Sequence, residues 1–338
     1  MKKMSIKDIA AAFDISNASV SYILNGKAKE KRITDELAEK VKQYAADNNY
    51  QPNQLAQSLR TGKTNIICLM VEDIADPFFA GVAGYIETIA YEKGYTIINC
   101  STKNNTKKAK ELIEAFKMRN VDGFIITPPA GIEDDIKTLI AARVPTILFD
   151  RYLENVKASY VGMDNFESSL NAVEYLYKQG YKNIACVTLD STQMQMTDRL
   201  NGYKMAVKQN KKKPVIRQIH YSFPIKKTVV HDIIELLNTN PTIDAIFFAT
   251  NYLALSGIEA LSILQKEIGK DVGIIAFDDN DLFRIHKPSI TAVAQPVEKM
   301  AGQLINMLLE KIKAPKENIL QTAIIPATLS VRASSKKN

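Results

Sequence analysis

One change of hydrophobic period, at Ile66, splits this 338-residue chain into two differently built parts. Before it, apolar residues recur at helical spacing. Ile6, Ile9, Ala10 and Phe13 fall at i, i+3, i+4 and i+7, which makes one helical stripe. Ser16 suits the cap of a second helix with Val20, Ile23 and Leu24 facing inward, and Asn25-Gly26 stops it. Thr34 suits the cap of a third, with Leu37, Val41, Tyr44 and Ala45 inward, and Pro52-Asn53 ends that unit. A fourth, short helix (LAQSLR) is expected behind Asn53.

After Ile66, short apolar runs alternate with amphipathic stretches. The runs are 66–71 (IICLMV), 96–100 (TIINC), 123–127 (GFIIT), 145–150 (PTILFD), 184–189 (IACVTL), 245–250 (AIFFAT) and 272–278 (VGIIAFD). Strands apolar on both faces, separated by helices, mean an α/β body with mostly parallel sheet. Seven or more such units exceed one ordinary sheet. Two subdomains are therefore expected, with crossovers near Asp150–Arg151 and near Ser289–Gln295, and 319–332 (ILQTAIIPATLSVR) reads as a terminal β pair.

Charge adds to this division. Residues 1–65 hold 11 Lys and Arg against 7 Asp and Glu, while the remaining residues hold 33 against 30. More than half of the net +7 thus sits on the first fifth of the chain, which suits a nucleic-acid partner or simply a solvated basic surface. Cys68, Cys100 and Cys186 form no disulfide framework and fit reduced, buried thiols in a cytoplasm. Cys68 and Cys100, on consecutive strands, are expected to be buried sheet residues. His220, His231 and His286 have no metal-ligand spacing. No GxGxxG follows the first strand, and neither a phosphate loop nor a nucleophile–base pair is readable, so neither an enzyme nor a cofactor is expected. No apolar run is long enough for a membrane span.

Residues 4–26 have the layout of a helix-turn-helix, whose second helix enters the major groove N-terminus first. A plain three-helix bundle fits the spacing equally well. In the groove-reading version Asn17, Ala18 and Tyr22 face outward. Asn17 suits an adenine edge and Ala18 a thymine methyl. Ser16 caps the helix, and Ser19, Ser21 and Asn25 are short polar groups suited to phosphates.

Ten motifs in order now carry a resemblance to the LacI/GalR family of bacterial transcription regulators over nearly the whole chain. They are SIKDIA, ISNASVSYILNG, YQPNQLAQSLRTGKT, ADPFFAGVAGYIE with VDGFIITPP, PTILFDR, DRLNGY, FFATNYLALSGIEAL, IIAFDD and ITAVAQP. The resemblance implies a helix-turn-helix head (1–52), a hinge helix and linker (53–64) and a bilobed core (65–338) of the periplasmic-binding-protein type I fold. Its N-subdomain is placed at about 65–157 and 292–320, its C-subdomain at about 158–291 and 321–332. It implies a dimeric, ligand-controlled repressor on double-stranded, palindromic operator DNA in the cytoplasm. A sugar-binding protein for transport is the other reading. Two hinge helices would pair in the minor groove with Leu59 as the wedge and Ala56 beside it; Tyr50, Asn53 and Arg60 complete the expected DNA-contacting set. Two features depart from the family pattern. Asp14 stands where the turn usually has Gly, and Asp tolerates that backbone. The loop GKAKEKRIT is longer and strongly basic, and its charges either contact phosphates or face solvent.

Open α/β sheets bind ligands beyond the carboxyl ends of their strands. Asp150, Gln193, Gln195, Arg199, Asn251 and Asp278 occupy such positions, and Arg199, Asn251 and Asp278 also match effector-contacting positions of the family. Asn offers donor and acceptor, Asp accepts two hydroxyls and Arg presents a fork, which together suit a sugar or sugar acid. Phe78 and Phe223 are the expected stacking faces, with Phe79 as the buried member of its pair.

Overall fold

The computed structural model describes residues 4–50, 62–220, 227–315, 317 and 319–337 and comprises two compact units, Met1–Thr64 and Asn65–Asn338.

In the first unit, helix α1 (Ile6–Phe13) opens with a reciprocal cap between Ser5 and Asp8 and ends at Asp14, whose φ of 51° is left-handed. That turn is tolerated because an Asp side chain penalises left-handed backbone less than most. Helix α2 (Asn17–Leu24) starts where Ser16 Oγ accepts from Ser19 N at 3.0 Å. Thr34 caps α3 (Asp35–Asp47). Ile9, Val20, Ile23 and Val41 are fully buried between the three. The long basic loop is itself anchored. Ala28 is buried in the same core, and Ile33 N donates to Ala28 O at 2.9 Å.

The second unit has two lobes with the same strand order. Lobe 1 is a six-stranded sheet of β1 (Ile66–Val71), β2 (Thr96–Ser101), β3 (Gly123–Ile126), β4 (Thr146–Phe149), β5 (Ser159–Met163) and β11 (Thr322–Ile325), ordered β11-β5-β4-β3-β1-β2 and parallel throughout. Lobe 2 comprises β6 (Ile184–Asp190), β7 (Val215–His220), β8 (Ala245–Phe248), β9 (Gly273–Phe277), β10 (Thr291–Ala294) and β12 (Thr328–Ser330), ordered β12-β10-β9-β8-β6-β7. Only its edge strand β12 runs antiparallel. Helices cover both faces of each sheet, which is why the strands read as unbroken apolar runs. In lobe 1, α4 (Pro77–Glu92) and α12 (Val297–Lys313) pack one face, and α5 (Thr106–Met118) and α6 (Glu133–Ala141) the other. In lobe 2, α7 (Asn165–Lys178) and α8 (Met194–Gln209) oppose α9 (Lys227–Thr239) and α10 (Asn251–Ile263), with the short α11 (Asp281–Ile285) after β9.

The lobe boundaries differ from the expected 157/158, 291/292 and 320/321. Strand β5 belongs to lobe 1, so the chain first crosses at Asp164 and not at Asp150–Arg151. It returns at Gln295–Pro296, after β10 has joined lobe 2, and crosses again at Pro326–Ala327. The physical reason is that β5 (SYVGM) is short and contains Gly162, so its run carries little apolar signal. Gly162 is needed there, because a Cβ would fall 1.8 Å from the Tyr160 hydroxyl. The expected terminal β pair is also corrected. Strands β11 and β12 lie in different sheets and are separated by the third crossover. Asp164 ties two crossovers together, since its Oδ1 accepts from Ala327 N at 3.0 Å and from Ser168 Oγ at 2.8 Å. Cys68 is fully buried, whereas Cys100 is only half-buried because β2 is an edge strand.

Candidate functional site

The exposed end of α2 carries the residues expected to face the groove. Ser16, Asn17, Ala18 and Asn25 are exposed, and Tyr22 is 36% exposed. Lys31 of the basic loop sits 5.2 Å from the centre of the Tyr22 ring, a cation–π contact that holds the ring beside the helix. Ser19 and Ser21 are half-buried and serve the two ends of α2. Ser19 Oγ lies 2.9 Å from Ser16 Oγ, and Asn25 Nδ2 donates to Ser21 O at 2.7 Å. Tyr50 packs, half-buried, against the core of its unit and so lies less open than Asn17. Asn53, Ala56, Leu59 and Arg60 lie outside the described residues, as does Phe223.

The second unit holds a cleft of about 630 Å³ between its lobes, within the range of small-molecule sites. It opens where strand order reverses, beside β1 and β3 in lobe 1 and β6 and β8 in lobe 2. Lobe 1 contributes Glu72, Asp76, Phe78, Asp150 and Arg151; lobe 2 contributes Gln193, Gln195, Arg199, Asn251 and Asp278. Gln295 of the second crossover joins them. The duplication is visible in detail. Asp150 ends β4 at φ 67° and Asp278 ends the equivalent β9 at φ 68°, so each strand turns left-handed as it delivers its acid to the cleft.

Two buried arginines organise these acids. Arg151 donates from Nη2 to Glu72 at 2.6 Å, from Nη1 to Asn104 at 2.9 Å and from Nε to Asp150 at 3.4 Å. With its side-chain amide turned so that the oxygen faces the guanidinium, Gln195 reaches it from lobe 2, accepting from Nε at 3.1 Å and Nη2 at 3.3 Å. Arg199 donates from Nε to Asn165 at 2.9 Å and from Nη1 to Ala249 O at 2.8 Å and Asp278 at 3.4 Å. Its guanidinium lies 3.6 Å from the centre of the Phe277 ring. Gln295 donates to the other Asp278 oxygen at 2.5 Å. Of the two successive acids after β9, only Asp278 faces the cleft. Asp279 pairs with both Nη atoms of Arg332, and Asn280 caps α11.

The six cleft residues expected from strand ends, Asp150, Gln193, Gln195, Arg199, Asn251 and Asp278, all line it. Phe78 and Phe79 differ from the expected division of labour. Both are buried, at 9% and 7% exposure, and both border the cleft while packing on Phe149. Glu72, Asp76, Arg151 and Gln295 stand outside the expected site set, although Asp76, within Asp73–Phe79 after the first strand, and Arg151, directly after PTILFD, are among the strand-end candidates. The first three had a readable signal, because each lies within a few residues of a strand's carboxyl end. Gln295 had none, because it lies on a crossover.

Asp76 caps α4 through Phe78 N at 2.9 Å and hydrogen-bonds Asn251 across the cleft. Burial, with repulsion from Asp278 and Glu72, pushes its carboxyl up to about 6. A carboxyl raised on folding costs stability wherever the unfolded chain ionises more readily. That cost grows from the ordinary value of 3.8 up to about 6 and is fully present above it. Asp76→Asn keeps the cap, since Asn caps as well as Asp. The variant should melt higher than the parent at pH 7.5, and the gap should close on acidification to pH 4. A gap independent of pH would contradict this.

Comparison with known proteins follows the same division. Residues 5–53 match the family of bacterial regulatory proteins, lacI family, and residues 173–335 match the periplasmic binding protein-like domain. The chain is 30% identical over 333 residues to the ribose operon repressor of Halalkalibacterium halodurans, covering 98% of this chain and 97% of that one. The solved lac repressor dimer, bound to operator and the anti-inducer ONPF, shares the fold at a TM-score of 0.87 and 19% identity, covering 99% of both chains. A LacI family regulator from Enterococcus faecium, solved with bound ribose, is 26% identical at a TM-score of 0.71, covering 81% of this chain and 99% of that one.

Proposed function

This chain belongs to the LacI family of bacterial regulatory proteins, and we propose that it represses a carbohydrate-utilisation operon by binding a palindromic operator as a homodimer. A sugar or sugar acid in the interlobe cleft is its effector. One observation carries this reading: a single chain joins an exposed groove-reading helix end to a cleft whose polar groups converge from two lobes. A transport protein has no use for the first unit.

The cleft acts by linkage. A ligand gripped by Arg199, Asn251 and Asp278 on one lobe and by Asp76 and Asp150 on the other favours one lobe arrangement by its differential affinity. Lobe 1 begins at β1, directly after the segment joining it to the DNA-reading unit, so its arrangement reaches the operator through 51–65. Coupling of about 1–3 kcal/mol would change operator affinity roughly 5- to 150-fold.

The test is fluorescence anisotropy on labelled duplexes, with and without sugars. Specific binding that falls with salt and shifts with one sugar is expected. Asn17→Ala should cost about 1–3 kcal/mol on the operator and level the preference at one base pair, leaving the sugar-induced thermal shift unchanged. Failure to discriminate any duplex from random DNA, with or without sugars, would reject the regulator reading.

A further inference from the structure

The cleft holds more acidic than basic side chains. Glu72, Asp76, Asp150 and Asp278 face Arg151 and Arg199. A fifth acid, Asp73, pairs with Lys103, and a sixth, Asp281, is exposed and pairs with Arg284. Neither guanidinium is held ready for an anion. Arg151 spends its three nitrogens on Glu72, Asn104, Asp150 and Gln195. Arg199 spends two on Asn165, Ala249 O and Asp278. Only its Nη2 has no partner among the described residues, and one such donor suits a hydroxyl oxygen. Asp76 has no cation beside it in the described structure. It accepts from Phe78 N and lies beside Asn251, and its charged neighbours are the acids Asp278 and Glu72.

We propose that this cleft takes an uncharged polyhydroxylated ligand and rejects the carboxylate form of the same sugar, with Asp76 as the residue that makes the choice. The proposal rests on the sugar-effector reading above and narrows it. Sugar hydroxyls donate to Asp76, Asp150 and Asp278 while accepting from Arg199 and Asn251. A ligand carboxylate loses its water shell, finds both guanidiniums already neutralised and lies near Asp76 with no cation between them. Desolvation of a charge without a partner is strongly unfavourable, and a like charge adds to it. The chemistry of the fork alone, a guanidinium that ordinarily welcomes carboxylates, gives the opposite expectation. The acids around the two arginines reverse it.

The experiment uses the full chain and matched pairs of probes: D-ribose and D-ribonate, D-glucose and D-glucuronate, D-galactose and D-galacturonate. Thermal shift finds the pairs that bind, and calorimetry measures them. For a binding pair the acid should be at least tenfold weaker than the neutral sugar. Asp76→Asn should narrow that gap severalfold by tightening the acid, whereas Asp134→Asn, at an exposed acid of α6 outside the cleft lining, should leave it unchanged. An acid that binds as tightly as its neutral partner overturns the proposal and leaves the sugar reading standing. A gap unchanged by Asp76→Asn overturns the assignment to Asp76. Binding by no member of any pair overturns the sugar reading and this proposal with it.

Discussion

Arg199→Met is expected to abolish the thermal shift caused by any cleft ligand and to destabilise lobe 2 by about 3–5 kcal/mol. Methionine keeps much of the packing against Phe277 but removes three things at once. Asp278 loses its only ion-pair partner among the described residues, the Ala249 carbonyl loses a 2.8 Å donor and Asn165 loses a 2.9 Å donor. All of these groups are buried or nearly so, and a carboxylate stripped of its cation in such a place costs far more than an exposed ion pair contributes. Urea unfolding of the variant measures the loss. Ligand binding is best measured at low temperature, where the variant remains folded. A folded Arg199→Met protein that still binds sugar with parental affinity would remove Arg199 from the site.

Gly202→Ala is the second large effect, and it acts through packing alone. Gly202 lies one turn beyond Arg199 on α8, where that helix meets α7. A Cβ there would stand 2.4 Å from Phe166 O, 2.9 Å from Leu170 N and 2.9 Å from Ser169 Cβ. Two of these are backbone atoms, so relief requires the helices to separate. Helix propensity favours alanine by about 1 kcal/mol, but overpacking costs about 1–3 kcal/mol and more where backbone must shift. The clash wins, and the urea midpoint should fall markedly. Because α7 also supplies Asn165 to Arg199, ligand affinity should fall with it. Gly302→Ala in α12 is the control. Nothing lies within 4 Å of its Cβ, so that variant should be neutral or slightly more stable. Equal effects from the two substitutions would contradict the packing argument.

The motif DRLNGY shows what a sequence can and cannot disclose. Its Arg, Gly and Tyr each have a distinct place in the structure. Arg199 enters the cleft, Gly202 lets two helices touch, and the Tyr203 hydroxyl lies 2.9 Å from Ile184 O and 3.0 Å from Val215 O, binding α8 to β6 and β7. The chain announces the motif but not this division of work, because the partners lie up to 79 residues away in sequence. The same holds for Arg151. As a neighbour of Asp150 it reads as half of a surface ion pair. Buried beside Glu72, Asn104 and Gln195, it becomes a fixed part of the cleft wall.

What the sequence alone determined is local and periodic. The capped helices of the first unit, the helix-turn-helix spacing and the apolar strands of a doubly covered sheet follow from residue preferences within a few positions of each other. Strand ends, and with them six cleft residues, follow from the same reading. Tertiary structure alone decided which lobe owns β5, β10 and β11, because a short strand is assigned by the sheet it joins and not by its own composition. It also decided the charge of the cleft. Whether an arginine attracts an anion depends on which acids already surround it, and those acids arrive from different strands and from both lobes.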